Sequence, residues 1–292
     1  MKVLLTGVTG FVGSHLAQYL YERDFCVYGL IRKPINNENL ASKLCNIQLR
    51  VFTEENLNDI IADIKPDLVI HLASLYLTVH NYQQIENLIQ SNITFPTKLL
   101  EAMCANKVTK LINTGTSWQH YNSAEYDPVN LYAATKQAFE DIAKFYVSSK
   151  GFSAITLKLF DTYGPNDTRG KLISLLDSLS ISQEFLSMSP GEQVVEVTHI
   201  HDVCSAYLIA INKIMTMQAG ESHSYGVDSN SRLKLKDLVA EYERANGVKL
   251  NIKWGERPYR EREVMQPCVN LTNIPGWEPV IQLIDGLNKL NR

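Results

Sequence analysis

A glycine-rich segment directly behind a short apolar run constrains this chain more than any other feature. Gly7-Val-Thr-Gly10-Phe-Val-Gly13 follows Val3-Leu4-Leu5, and the segment continues as Ser14-His-Leu-Ala-Gln-Tyr-Leu-Tyr, with Leu16 and Leu20 at helical spacing. A strand that ends in glycines and runs into a helix presents backbone N–H groups at a helix N-terminus. Those free donors and the helix dipole bind phosphate there. Glycine is needed because a tight turn and a close backbone approach leave no room for a Cβ. With a strand before it and a helix after it, the segment reads as a cradle for a dinucleotide pyrophosphate. Gly7, Thr9, Gly10, Phe11, Val12 and Gly13 are the residues it would use.

The second strand of such a unit reads Cys26-Val-Tyr-Gly-Leu-Ile31. A dinucleotide fold that takes NAD places an acidic residue at about this point to bind the ribose 2′-hydroxyl. Here Arg32 and Lys33 follow instead. Two cations suit a 2′-phosphate, so the sequence points to NADP(H). Strand and helix patterns then alternate to about residue 163, which argues for an α/β fold with a doubly wound parallel sheet of Rossmann type. The pattern is less regular after Pro165, as expected of a smaller C-terminal substrate-binding lobe. The expected division is 1–163 for cofactor and 164–292 for substrate, with segments of the second part returning to the first.

A second motif, Tyr132-Ala-Ala-Thr-Lys136, lies inside a helical pattern. Residues four apart share a helix face. A free phenol titrates near pH 10 and is a poor acid–base group at neutral pH. A nearby ammonium and the positive ring of an oxidised nicotinamide would lower that value.

With both motifs in one chain, the sequence resembles the extended short-chain dehydrogenase/reductase family, which comprises nucleotide-sugar epimerases, dehydratases and reductases. The resemblance covers nearly the whole chain. Asp67-Leu-Val-Ile-His-Leu-Ala-Ser74 looks like the fourth strand and the loop under the cofactor, which adds Leu72, Ala73 and Ser74 to the cofactor site. Asn92 matches the family's helix asparagine. Leu111-Ile-Asn-Thr-Gly-Thr-Ser-Trp-Gln-His-Tyr121 looks like the fifth strand with its catalytic hydroxyl, at Ser117 or its neighbour Thr116. Lys158-Leu-Phe-Asp-Thr-Tyr-Gly-Pro165 resembles the strand and loop that open toward the substrate and contributes Asp161. His199-Ile-His-Asp202 and Gly276-Trp-Glu-Pro279 fall where the family carries similar residues. The resemblance implies that Tyr132, Lys136 and Ser117 or Thr116 are catalytic. It also implies a homodimer formed through helices near Thr94–Ala105 and Leu131–Tyr146, whose Ala134, Phe139, Ala143 and Tyr146 meet either core or partner.

The substrate implied is a nucleotide-diphosphate sugar. Arg260-Glu-Arg-Glu263 resembles the family's Arg-x-Gly-(Asp/Glu), whose arginine meets the pyrophosphate, although Arg262 stands where glycine is usual. A guanidinium fork suits phosphate oxygens. Arg169 and Lys171 are further candidates to face the diphosphate. The family's 4,6-dehydratases carry an Asp-Glu pair just after the catalytic Thr, whereas this chain has Trp118-Gln119, neither of which is a general acid or base. The chain most resembles the CDP-3,6-dideoxyhexose synthases, the abequose- and paratose-type 4-reductases of surface polysaccharide synthesis. An NAD-dependent 4-epimerase and a non-catalytic cofactor-binding regulator remain alternatives.

A net charge of −3 over 292 residues gives no reason to expect nucleic acid or an anionic membrane as partner. The cysteines at 26, 45, 104, 204 and 268 show no Cys-x-x-Cys spacing and read as reduced, mostly buried thiols of a cytoplasmic protein. No metal site is expected. Val3-Leu-Leu is too short for a signal sequence, and no apolar stretch reaches the length of a membrane span.

Overall fold

The computed structural model describes residues 1–288 and 290. Its elements in chain order are β1 (Lys2–Thr6), α1 (Phe11–Tyr21), β2 (Cys26–Ile31), α2 (Glu38–Lys43), β3 (Gln48–Val51), α3 (Leu57–Ile64), β4 (Leu68–His71), α4 (Ile85–Ile89), α5 (Phe95–Ala105), β5 (Lys110–Thr116) and α6 (Leu131–Lys150). There follow β6 (Ser153–Leu159), β7 (Asp161–Tyr163), α7 (Leu172–Ser182), β8 (Leu186–Met188), β9 (Val194–His199), α8 (Ile200–Thr216), β10 (Ser222–Val227), β11 (Arg232–Lys234), α9 (Leu235–Asn246), β12 (Ile252–Trp254) and α10 (Leu283–Asn288).

Seven strands form one parallel sheet in the order β10-β6-β5-β4-β1-β2-β3. A parallel sheet needs helices on both faces, so its strands are apolar on both sides. In β1, Val3 and Leu5 enter the core under α1 and α8, while the intervening Leu4 enters the core under α3, α5 and α6. Leu16 and Leu20 of α1 pack there with Val203, Tyr207 and Ile211 of α8. The opposite core is filled by Ile61, Leu99, Met103, Phe139 and Tyr146. Phe139, Ala143 and Tyr146 thus cover the sheet of their own chain.

The rest of the chain builds a smaller lobe. A three-stranded sheet of β11, β9 and β7 and the β12–β8 pair close over a third core, in which Tyr163, Leu176, Leu238 and Tyr242 meet. The lobe is interrupted, because α8 and β10 return to the large sheet, where β10 pairs with β6 as its edge. The two motifs His199-Ile-His-Asp202 and Gly276-Trp-Glu-Pro279 meet at this return. The Trp277 indole donates to the Asp202 carbonyl (3.0 Å) and to Ser205 Oγ (2.8 Å). The buried Asp202 carboxylate accepts from the Val280 (3.1 Å) and Ile281 (3.0 Å) amides.

Two sequence expectations change. All five thiols are free, but only Cys204 and Cys268 are buried; Cys45 lies exposed in the turn after α2, and Cys26 and Cys104, at the start of β2 and near the end of α5, are half-buried. The helix carrying Tyr132 also runs four residues beyond Tyr146, ending at Lys150, where Gly151 takes φ +70° as its left-handed cap. No helix among the described residues is long and apolar enough to cross a membrane.

Candidate active site

The site lies at the C-terminal ends of β1, β4, β5 and β6, beside the β1–β4 switch in strand order, where an open α/β sheet leaves a crevice. Gly7, at φ +70°, passes so close to the loop after β4 that a Cβ would stand 2.6 Å from the Ala73 nitrogen. A Cβ on Gly13 would stand 2.1 Å from the Gly7 carbonyl oxygen. Both positions therefore require glycine, and the requirement brings the start of α1 against the strand end. Gly10 caps α1 without a side-chain hydrogen bond, and no acidic residue lies in the first turn. The amides and the positive end of α1 are left for an anion.

Thr6 supports this loop from below. Its hydroxyl oxygen accepts from the Leu72 (3.2 Å) and Ala73 (3.1 Å) amides, so its proton goes to His71 Nδ1 (2.8 Å). His71 is wholly buried; burial first, then the charge on Lys136, hold its pKa well below the usual value, so it stays neutral. Asn92 sits on a π-helical turn, Gln90–Thr94, that joins α4 to α5 and turns its amide inward. It accepts from the Leu75 amide (2.7 Å) and Ser74 Oγ (3.1 Å) and donates to the Leu75 carbonyl (3.0 Å) and Thr135 Oγ1 (3.0 Å). One buried amide thus ties the loop after β4 to the helix that carries Tyr132 and Lys136.

A cavity of about 450 Å³ runs from the glycine loop to this helix. Gly7, Gly10, Phe11, Val12 and Gly13 line one end and Leu72 and Ser74 its floor, and Thr116, Ser117, Tyr132 and Lys136 lie toward the other end. Thr9 points to solvent, and Ala73 and Asn92 act behind the wall. Arg32 and Lys33 follow β2 directly and are exposed, outside the cavity lining. A second cavity, of about 690 Å³, extends into the smaller lobe past Met188, Glu196, Arg257 and Arg260. Tyr76, Ser117, Trp118, Phe160, Asp161, Arg169 and Lys171 line both cavities and mark their junction.

The two hydroxyls at the end of β5 make different contacts. Thr116 Oγ1 accepts from the Trp118 amide (3.3 Å) and caps the short turn Ser117–Gln119. Ser117 faces both cavities. Trp118 stands between Tyr76 (5.8 Å between ring centroids) and Arg260 (5.6 Å above its ring). Gln119 turns the other way. It is fully buried, accepts from the Thr116 amide (3.0 Å), and donates to Gln137 (2.6 Å) and Glu140 (3.0 Å). Glu140 also faces Lys158 (3.4 Å), whose ammonium donates to His120 Nε2 (2.7 Å).

Burial pushes the Tyr132 phenol up to about 12, and the cation that most opposes this is Lys171. Lys136, 2 % exposed, is itself drawn down to about 8 by burial, against the pull of Glu140. Glu140 lies one turn beyond Lys136 on the same helix face, a spacing that could have marked it in the sequence. Tyr76 is a further residue that sequence reasoning missed. Its ring meets Tyr132 edge-on at 5.0 Å, and a loop tyrosine with no motif around it gives no signal.

The basic residues also sort differently. Arg169 is committed within its own loop, donating to Asp167 (2.7 Å) and to Thr162 Oγ1 (3.1 Å) and its carbonyl (2.7 Å), with its guanidinium 4.1 Å above the Phe11 ring. With four of its five donors engaged inside the chain, Arg169 flanks the glycine loop at the junction of the two cavities. Arg260 forks onto Glu263 (3.0 and 2.8 Å) at the wall of the larger cavity. Arg262, in the usual glycine position, lies over Tyr121 and pairs with Asp127 (2.5 Å), fastening this segment to the loop before α6. Among the described residues no group of His, Cys, Asp or Glu is placed to hold a metal ion.

A glycine cradle at an uncapped helix, Tyr132 on the cleft wall with the buried Lys136 one turn on, and a cleft into a second lobe define a dinucleotide-dependent enzyme. The model of the NAD dependent epimerase/dehydratase family matches residues 3–226, and the chain belongs to that family. It is 28% identical over 277 residues to a CDP-abequose synthase of Yersinia pseudotuberculosis, with 94% of each chain covered. It is 25% identical to a CDP-abequose synthase of Salmonella typhimurium, covering 99% of this chain and 96% of that one. Its fold is similar to that of a UDP-glucose 4-epimerase from Thermotoga maritima, with TM-score 0.86, 21% identity, and coverage of 99% and 96%.

Proposed function

We propose that this chain uses NADPH to reduce the C4 ketone of a nucleotide-activated 4-keto-6-deoxy- or 3,6-dideoxyhexose, CDP-linked, in the synthesis of a surface polysaccharide precursor. The observation that carries the reading is the turn after β5, where Ser117 faces the cleft, Trp118 forms its wall, and Gln119 is buried away from it. No acid–base pair stands beyond the hydroxyl, so elimination of water has no proton route, whereas reduction needs only one proton donor. The near full-length likeness to two proteins named CDP-abequose synthase supports the sugar class. Arg32 and Lys33, with no acidic residue at the end of β2, support NADPH over NADH.

In this reading Gly7–Gly13 would hold the pyrophosphate of the dinucleotide at the smaller cavity, and the dinucleotide would supply a hydride when bound. The sugar nucleotide lies along the larger cavity with its pyrophosphate near Arg260. The two cavities meet at Ser117, with Tyr132 on the wall of the smaller one, and C4 belongs there. Ser117 hydrogen-bonds the ketone oxygen. Tyr132 gives its proton to that oxygen as negative charge develops, so its O–H bond breaks as the product hydroxyl forms. A phenol pushed up to about 12 is fully protonated at neutral pH, as a donor must be before each turnover. Lys136 holds the ribose end of the cofactor, and the phenolate recovers its proton from solvent. Asp161 and Lys171 line the sugar end. We place the enzyme in the cytoplasm, where free thiols stay reduced, and as a homodimer whose contact face on α6 carries the exposed Phe145.

Thermal shifts with NADPH plus CDP-, dTDP-, GDP- and UDP-sugars test the ligand class. The largest rise is expected with a CDP-sugar. No rise with any sugar nucleotide would contradict the reading.

A further inference from the structure

The junction of the two cavities holds an ion pair that the hydride-transfer scheme leaves without a task. Lys171 Nζ lies 2.9 Å from Asp161 Oδ1 and 4.7 Å from the centre of the Tyr76 ring. Tyr76 in turn meets Tyr132 at 5.0 Å. Both members of the pair line both cavities, and Asp161 leaves 42 % of its side chain open. The pair comes from β7 and the turn before α7, so the smaller lobe delivers a charge to a tyrosine held by the larger one.

We propose that Lys171 and Asp161 are positioning residues that act through Tyr132: Lys171 stabilises its phenolate, and Asp161 restrains that effect, so that the pair sets the proton affinity of the donor. The proposal rests on Tyr132 as proton donor in the function given above. The groups around Tyr132 favour this assignment. Lys136 lies on its own helix, Tyr207 faces it from α8, Tyr76 from the loop after β4, and Lys171 and Asp161 from the smaller lobe. Lys136 is drawn down to about 8, whereas Lys171 is held above its ordinary value by Asp161 against the effect of burial, so Lys171 is the cation that keeps its charge in alkaline solution. Enclosure would raise Asp161, but Lys171, Arg169 and Arg260 outweigh it and keep the carboxyl below the usual range. Arg169 is matched by Asp167 and Arg260 by Glu263, which leaves the Lys171–Asp161 balance as the adjustable part.

Opposite substitutions should have opposite effects, which no merely structural role would produce. Tyrosinate absorbance is titrated in the presence of NADP⁺ for each protein and for its Tyr132→Phe counterpart, and the difference isolates Tyr132 among the 14 tyrosines. Asp161→Asn leaves Lys171 unopposed and should lower the midpoint by about half a unit or more. Lys171→Met should raise it by a similar amount, and Lys171→Arg should hold it near wild type. If Lys171→Met does not fold, the sign of the Asp161→Asn shift decides alone. Midpoints that stay put, or that move the same way in Asp161→Asn and Lys171→Met, overturn the proposal. The titration needs no turnover, so finding that no keto-sugar is accepted would sink the proposed function and leave this test standing.

Discussion

Replacing Asn92 by alanine should loosen the cofactor loop and the catalytic helix together. The side chain makes four hydrogen bonds, two of them to the Leu75 backbone and one each to Ser74 and Thr135. Each such bond contributes about 0.5–1.5 kcal/mol net. Thr135 keeps its bond to the Tyr132 carbonyl (2.7 Å), and Ser74 lies exposed and can turn to water. The Leu75 amide and carbonyl bear most of the cost, so the loss should total about 2–4 kcal/mol. For a chain of this size that lowers the Tm by about 4–8 °C. Ser74 and Tyr132 line the same cavity, so the released loop should raise the KM for cofactor and lower kcat. Thermal unfolding with and without NADPH, together with steady-state kinetics, measures all three. An Asn92→Ala protein with a Tm within about 1 °C of wild type and unchanged KM would refute the reasoning.

Wild type should bind NADPH at least about tenfold more tightly than NADH, and Arg32→Ala should lose most of that preference, since a charge-assisted contact to phosphate is worth about 1.5–3 kcal/mol; competitive binding by cofactor fluorescence reads both. Tyr132→Phe should lower kcat by about 10²-fold or more while leaving the Kd for NADPH almost unchanged; near-normal turnover would move the proton donor elsewhere. Gly13→Ala should abolish cofactor binding in calorimetry, because its Cβ would meet the Gly7 carbonyl oxygen at 2.1 Å. Lys136 binds its proton less tightly folded than unfolded, about 8 against an ordinary 10.5, so its charged form costs stability below pH 8 and that cost is relieved as pH rises toward 10.5. The Tm of Lys136→Met minus that of wild type should therefore shrink across this window; a constant difference from pH 7 to 10 would show that Lys136 is not buried as described.

The large sheet was legible because its rules are local. Val3-Leu-Leu before Gly7 announces β1, Cys26–Ile31 is β2 as read, and Gly7 and Gly13 carry a steric demand that any sequence reader can apply. The helix holding Tyr132 and Lys136 was legible for the same reason. What escaped are contacts between distant segments. Arg169 reads as a candidate to face the diphosphate, and nothing in its sequence tells that the fold also lays it over Phe11 and binds it to Thr162. Lys171 reads as a partner for phosphate, yet the turn before α7 brings it to Asp161 and toward Tyr132. Gln119 stands where a dehydratase carries a carboxyl group, and only the turn after Thr116 shows that its side chain rotates into the interior. Phe139, Ala143 and Tyr146 could have met a partner or the sheet, and only the packing of α5 against α6 settles them in the core. Which cation acts on a phenol depends on burial and on loops from another lobe, and neither leaves a periodic trace.

The fate of the hydride tests the central claim most directly. The enzyme is given a CDP-linked 4-keto-3,6-dideoxyhexose and NADPH carrying deuterium at the nicotinamide C4, and the product is read by NMR while NADPH oxidation is followed by absorbance. The account predicts one NADPH consumed for each sugar reduced, with deuterium on the sugar C4 and a hydroxyl in place of the ketone. A sugar epimerised at C4 without net consumption of NADPH, or a 4-keto-6-deoxy product formed from CDP-glucose and NADP⁺, would contradict it.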